Sequence, residues 1–476
     1  MSANYLFKPY KASDYINFAE ETAKWIKENE NVTDNGKRWI QSPDSDEDFT
    51  NYPMLTEKCL YGGSAGVGLF YLKLFQLTKK EEYLNDAKAA LDDIIATHEG
   101  TEFYEKNLTP PEEGTDKLVH VKNMPGWSIG IFNGPTGGGY LSIKLYEVTG
   151  DEKYKDYAVR VAEDLLATAK TTPEGIHWSD QVDWCGDGGF VTFLLPVYEL
   201  TGDVRFLEAA TKLGDYILSK GATSPRGGKY WNVVDLSIID FPDDVFWVNF
   251  AHGTSGVGFI FTVLYSVTKE QRFLDAAKAA TEYIENIAVG DDDAVLVPYL
   301  DSLKRGPSTE FYYLSTCHGP VGTSLVFKEL YKITKEQKYL DFVVKLSRGI
   351  IKAGAPENYS RGYWPSQSIC CGTPGLLEHF VTVYKLTGSE EFLTYAKRTA
   401  KCVIGNSYVG DKPGDIYKEQ NTRRWLGNWW RTIPSEVHSY TGLYIGSAGN
   451  AWVLLTLAAL EQDIDTVQLV EYNNYN

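Results

Sequence analysis

A Gly-x-x-Gly turn that recurs seven times constrains this chain more than any other feature. The turns begin at Gly63, Gly134, Gly186, Gly253, Gly319, Gly372 and Gly446. In the first six, a threonine follows the second glycine by twelve residues: Thr78, Thr149, Thr201, Thr268, Thr334 and Thr387. Spacing held that many times marks a repeat protein, in which one supersecondary unit is copied and stacked. The 476 residues correspond to about three domains by length, but one array of repeats accounts for them.

Each repeat reads as two helices. The segment after the glycines, such as VGFIFTVLYSV, is apolar nearly all round, as a helix buried on most sides must be. The segment after the threonine, such as TKEQRFLDAAKAATEYIENI, is amphipathic, and the threonine reads as its N-cap. The glycines allow the buried helix to start where its end crowds neighbouring chain. Seven buried and about seven amphipathic helices predict an all-α fold, an α/α toroid with an inner barrel inside an outer one. An open solenoid would need polar end repeats, yet repeat seven stays apolar in NAWVLLTLAAL and no long outer helix follows it. The N-terminal segment SDYINFAEETAKWIKEN, about residues 12–30, is expected to close the outer ring. The expectation is a single domain over residues 1–476, with the repeats at about 55–460. Two polar stretches, NVTDNGKRWIQSPDSDEDFTNYP and THEGTEFYEKNLTPPEEGTDKLVHVKNMPGW, read as surface loops over one rim.

Composition narrows the partners. With 46 basic and 64 acidic residues the net charge is −18, which repels phosphate backbones and anionic lipid and argues against nucleic acid. The N-terminus lacks a signal-peptide apolar core, and the run AWVLLTLAAL is too short to span a bilayer. The chain is therefore expected to be cytoplasmic and not an integral membrane protein. Six cysteines are too sparse for a disulfide scaffold.

The residues just before each turn would meet at one rim if all the turns share an end of the toroid. In repeat order these are Tyr61-Gly62, Phe132-Asn133, Trp184-Cys185, Ala251-His252, Cys317-His318, Cys370-Cys371 and Tyr444-Ile445. Sulfur and imidazole are concentrated in repeats three to six. The adjacent pair Cys370 and Cys371 is poor disulfide material, because neighbouring Cα atoms lie too close together. With Cys317 one repeat away, the pair instead reads as a zinc site, since zinc favours thiolate and imidazole, and catalytic sites keep one position open.

The order of these elements resembles the lanthionine synthetase C-like cyclase family. The motifs are AHG at 251–253, Cys-x-Gly at 317–319 and Cys-x-Gly at 370–372, set in seven Gly-x-x-Gly turns. The resemblance implies an α/α toroid with one zinc per chain. It also implies ring closure in lanthipeptides, in which cysteine thiols add to dehydroalanine or dehydrobutyrine. Cys317, Cys370 and Cys371 match the family's zinc ligands, with Cys371 where most members carry histidine, as in members with a Cys-Cys-Gly site. His252 matches the family's proposed acid/base. The family aspartate falls on Val182, and Asp183 is the neighbour that could serve. Thr316 replaces the usual tryptophan. His318 stands as a second acid/base candidate or a further zinc ligand.

On this reading a substrate thiol, whose pKa near 8.5 leaves little thiolate at neutral pH, is activated at the metal, and His252 protonates the α-carbon. The expected partners are a dehydrated precursor peptide, a separate dehydratase and an exporter. Three other readings stay open: a thiol transferase that adds glutathione to dehydroamino acids, a non-catalytic zinc-containing toroid that binds peptide, and a carbohydrate-active toroid using Asp183 and Asp187.

Overall fold

A helix that is apolar on every face is stable only when other helices cover it, and amphipathic helices supply the cover. The two kinds alternate in the computed structural model, which describes residues 8–44, 58–102, 129–232, 244–310, 312–358, 366–410, 422–427 and 437–472. Fourteen α-helices follow one another along these residues. They are α1 (Ala12–Glu28), α2 (Ser64–Thr78), α3 (Glu81–Ala96), α4 (Thr136–Thr149), α5 (Glu152–Ala167), α6 (Val191–Thr201) and α7 (Val204–Ser219). The second half holds α8 (Thr254–Thr268), α9 (Gln271–Ile287), α10 (Pro320–Thr334), α11 (Gln337–Lys352), α12 (Thr373–Thr387), α13 (Glu390–Gly405) and α14 (Ser447–Gln462). No described helix is long and apolar enough to cross a membrane.

The even-numbered helices from α2 to α14 carry the apolar sequences. In α2 every residue from Ser64 to Leu74 is buried, whereas α9 buries one stripe that includes Phe273, Ala277, Ala280 and Ile284. Burying one large aliphatic or aromatic side chain is worth about 1.5–3 kcal/mol, so these helices are held by burial more than by propensity. Each apolar helix packs against the amphipathic helix that follows it, and α14 packs against α1. The apolar helices also touch in order from α2 through α4, α6, α8, α10 and α12 to α14, and α14 touches α2. The contacts thus form a closed cycle in an all-α architecture.

The conserved-length threonine does not cap the outer helix. It is the last residue of the inner one, and its hydroxyl donates to the carbonyl four residues back, as Thr268 does to Leu264 at 2.8 Å. The next residue is left-handed, with φ between 58° and 70° at Lys79, Gly150, Gly202, Lys269, Lys335 and Gly388. The true N-cap comes one residue later, and its amide donates back to the threonine hydroxyl, as Glu270 does to Thr268. Asp151 and Asp203 are N-caps whose carboxylates accept amides of their own first turn. The twelve-residue spacing therefore measures the inner helix, not the start of the outer one.

Four tryptophans lock outer helix to inner helix. Trp39, Trp178, Trp231 and Trp425 donate their indole N–H to Ile26, Leu165, Ile217 and Val403 carbonyls at the ends of α1, α5, α7 and α13. Their own amides donate to Ser64, Asp187, Thr254 and Ser447 at the start of the next apolar segment. Each tryptophan is in or beside a short antiparallel hairpin, for instance Lys170–Thr172 with Gly175–His177. Of the two polar loops expected over the rim, residues 45–53 and 103–127 lie outside the described residues.

Candidate metal centre and its cavity

The residues before the turns are brought together by their backbones. Cys185 donates its amide to Ala251, Ala251 to Cys317, Cys317 to Cys370, Cys370 to Tyr444, Tyr444 to Tyr61, and Tyr61 to Phe132. These six hydrogen bonds, 2.8–3.2 Å long, string one residue from each of the seven repeats around a single ring. All seven turns therefore share one end of the fold, the condition under which the residues before them meet.

Close approach depends on the second glycine of each turn. A Cβ on Gly322 would lie 2.0 Å from the Thr316 carbonyl oxygen, and one on Gly256 1.9 Å from that of Phe250. In both cases the carbonyl is six residues back. At Gly189 it is that of Trp184, five residues back. Repeat three is therefore offset by one residue, and its turn enters α6 through a short 3₁₀ turn, Asp187–Phe190. Cys185, not Trp184, takes the position equivalent to Cys317 and Cys370. The same offset puts Asp183, not Val182, in reach of the site.

Cys317, Cys370 and Cys371 form a group whose sulfurs all lie within 4.8 Å of one another. The Cys371 Sγ is 3.4 Å from that of Cys370 and 3.7 Å from that of Cys317. A tetrahedral zinc–thiolate site with bonds near 2.3 Å has sulfur–sulfur edges of about 3.8 Å, so the donor set fits the metal in type and spacing. The cysteines are unbridged. The neighbouring Cys317 and Cys371 sulfurs, together with burial, push the Cys370 thiol well above the usual thiol range. Only a cation among the sulfurs would hold all three deprotonated at this spacing. Hydrogen bonds fix the loops: Thr316 Oγ1 donates to the Ile369 carbonyl at 2.9 Å, and the Cys371 amide donates to Ser368 Oγ at 2.9 Å. Thr316 thus fastens the two cysteine loops together.

His252 and Asp183 are joined directly. His252 Nδ1 lies 3.0 Å from Asp183 Oδ2. Asp183 is fully buried, and its Oδ1 accepts the Gly186 amide at 2.7 Å. The carboxylate therefore selects the tautomer with the proton on Nδ1 and leaves Nε2 for other work. His318 stands outside the sulfur group among the described residues. Its ring packs against Tyr299, Trp247 and His252 at centroid distances of 5.0, 5.2 and 5.6 Å. A cavity of about 110 Å³ is lined by the three cysteines, His252 and His318 together with Tyr61, Phe132 and Tyr444. Tyr61 and Tyr444 stack at 5.7 Å, and the Tyr61 phenol interacts with the Cys370 sulfur.

Two lining residues escaped the sequence reading as chemistry. Cys185 faces the cavity but is outside the sulfur group, and burial holds its thiol well above the usual range. Glu471 comes from the segment after α14 and had no signal in the repeat pattern. Asp187 is taken out of consideration for sugar chemistry by its partners. Its Oδ2 accepts the Trp178 and Ser179 amides and its Oδ1 the Ser179 amide and hydroxyl, and the residue is fully buried and does not line the cavity.

Residues 55–469 match the model of the lanthionine synthetase C-like protein family. The chain belongs to that family. Among solved structures, nisin cyclase is similar over 95% of both chains, with a TM-score of 0.60 and 16% identity. At that identity the likeness speaks for the fold. An α-mannanase of Bacteroides thetaiotaomicron and a sugar epimerase from a ruminal bacterium are more distant, each at a TM-score of 0.47 and 12% identity. The first covers 94% of this chain and 97% of its own, the second 95% and 99%. No curated protein sequence matches. The family assignment places the seven turns and the cysteine group in one frame, because both lie within the matched residues.

Proposed function

We propose that this family member is a zinc-dependent lanthipeptide cyclase that closes thioether rings by adding peptide cysteines to dehydroalanine or dehydrobutyrine. The observation that carries the reading is the three-sulfur group opening onto the cavity that also holds the Asp183–His252 pair. No fourth His, Cys, Asp or Glu among the described residues joins the group, which supports an open position and weakens the structural-zinc reading. Cys317, Cys370 and Cys371 would hold the metal, which when bound supplies Lewis-acid activation of a substrate thiol. The thiolate sulfur bonds to the β-carbon, and the π electron pair moves onto the α-carbon and its carbonyl as an enolate. The Nε2–H of protonated His252 then gives its proton to the α-carbon, and Asp183 stabilises the imidazolium through Nδ1–H. His252 regains a proton from the pool that received the thiol's, so the addition balances as an isomerisation. His318 is the second proton-handling candidate, packed beside His252.

The reading also treats residues 1–476 as one domain, a double barrel of seven inner and seven outer helices with α1 closing the outer ring. The closed cycle of helix contacts and the packing of α1 on α14 support it. A precursor peptide must reach this cavity already dehydrated, so a separate dehydratase and an exporter are the partners to seek. A second reading, addition of glutathione to a dehydroamino acid, uses the same sulfur group and the same proton donor.

Zinc per chain, measured by elemental analysis on wild type and Cys371→Ala, tests the metal. One zinc in wild type and its loss in a variant with unchanged circular dichroism are expected. Incubation with a dehydrated cysteine peptide or with glutathione plus a dehydroalanine derivative, read by loss of alkylatable thiol, separates the two acceptor readings. A zinc-free wild type would sink both.

A further inference from the structure

The segment after α14 turns back and is buried among the apolar helices. Val467, Leu469 and Val470 are covered, Tyr140 donates its hydroxyl to the Gln468 carbonyl at 3.0 Å, and the Val467 amide donates to Gln76 Oε1 at 2.7 Å. The side chains of α4 and α2 thereby fix the backbone that carries Glu471. This residue is 1% exposed and lines the cavity of the cysteine group. Its Oε2 accepts the Tyr444 hydroxyl at 2.7 Å, while its buried Oε1 has no hydrogen-bond partner among the described residues. A buried carboxylate oxygen without a donor costs stability and marks a place where a donor is missing. Tyr444 is itself a ring residue whose carbonyl accepts the Cys370 amide at 3.1 Å. The carboxyl is therefore tied, through one side chain, to the loop that holds two of the sulfurs.

We infer that Glu471 is a substrate-orienting residue whose free Oε1 accepts the backbone N–H of the cysteine that enters the cavity, with Tyr444 holding the carboxylate in place. The inference rests on the cyclase or thiol-transferase reading for its substrate, a cysteine in amide linkage with its own N–H unsubstituted. A small apolar thiol without an amide would gain nothing from Glu471. Neither would an N-alkylated cysteine.

The test uses N-acetylcysteine methylamide and its Nα-methyl analogue as non-reacting ligands of the zinc-loaded protein, with binding followed by calorimetry. Burial raises the Glu471 carboxyl to about 7, so at pH 8.5, where it is ionised, wild type is expected to prefer the N–H ligand by about ten- to a hundredfold, the range of one hydrogen bond to a charged group. In Glu471→Gln, where an amide can turn its own donors toward the ligand, the preference should disappear. In Tyr444→Phe it should shrink, with zinc content unchanged in both. A preference retained in Glu471→Gln overturns the proposal and leaves the cyclase reading intact if dehydrated peptide is still cyclised. Discrimination lost as expected, but with no turnover of any acceptor by wild type, upholds the site and sinks the cyclase. Failure of wild type to bind either ligand overturns the proposal whatever the turnover.

Discussion

A histidine that is to give a proton to carbon needs a fixed tautomer, and at His252 the Asp183 carboxylate 3.0 Å from Nδ1 fixes it. Asparagine at 183 keeps the shape but offers an amide that can present either an acceptor or a donor, so the ring nitrogens lose their assigned roles. General acid catalysis contributes about 10²–10⁴-fold. His252→Asn is therefore expected to slow thiol addition by about that factor, and Asp183→Asn by a smaller one, with zinc content unchanged in both. Single-turnover rates and elemental analysis check it. Loss of zinc in either variant would mean that these residues hold the loops rather than move protons. The cysteine group was legible in the sequence because three sulfurs sit at equivalent positions of neighbouring repeats. Asp183 was legible only as a near miss, since the one-residue offset of repeat three appears in the carbonyl under Gly189 and not in the spacing.

Elements in this chain are terminated by a few positions with different tolerances. Gly322 lies in the first turn of α10 beneath the cysteine loop, where a Cβ would meet the Thr316 oxygen at 2.0 Å and the Phe250 Cβ at 2.5 Å. Neither can move without shifting the ring that carries Cys317. Gly150 at the end of α4 is left-handed at φ 67°, yet a Cβ there meets nothing within 4 Å. Lysine holds the same conformation at residues 79, 269 and 335. Gly322→Ala should thus cost about 3 kcal/mol, the upper part of the overpacking range, and Gly150→Lys about 1 kcal/mol. Denaturant midpoints at constant slope check both, and equal costs would show that the close approach at Gly322 is relieved cheaply. Helix number, order and burial were legible because apolar-all-round and amphipathic segments alternate. The threonine was misread because hydroxyls suit an N-cap and a helix end alike, and only the left-handed residue after it decides. The tryptophan locks stayed hidden because Trp39, Trp178, Trp231 and Trp425 stand at unequal distances before their turns.

Closing seven apolar helices on themselves leaves little room for water between them, so any polar side chain pointing inward must find its partner on another helix. Lys73 of α2 donates to Thr456 of α14, which donates to Glu378 of α12. Lys328 of α10 meets His379 of α12 at 3.2 Å. Ser347 donates to the Val343 carbonyl, so it accepts from His379 Nε2 and leaves Nδ1 to accept from Lys328. Burial lowers the Lys328 pKa from 10.5 to about 7, and burial with the nearby Lys328 charge holds His379 well below its usual value. Below pH 7 both folded and unfolded chains carry the charge on Lys328, and the folded state bears the full desolvation cost. Between about pH 7 and 10.5 the folded chain sheds a proton that the unfolded chain keeps, so this residue makes stability rise with pH. The full shift corresponds to something on the order of 5 kcal/mol, of which about 4 falls between pH 6 and 10. Lys328→Met removes that slope, at the cost of leaving His379 Nδ1 without its donor. The stability of the variant relative to wild type should therefore be most favourable near pH 6 and become less so by about 4 kcal/mol at pH 10. Urea unfolding at the two pH values reads the difference directly. A pH-independent difference would mean that water or a movement of α10 relieves the buried charge, and that the helix cycle is looser than its contacts imply.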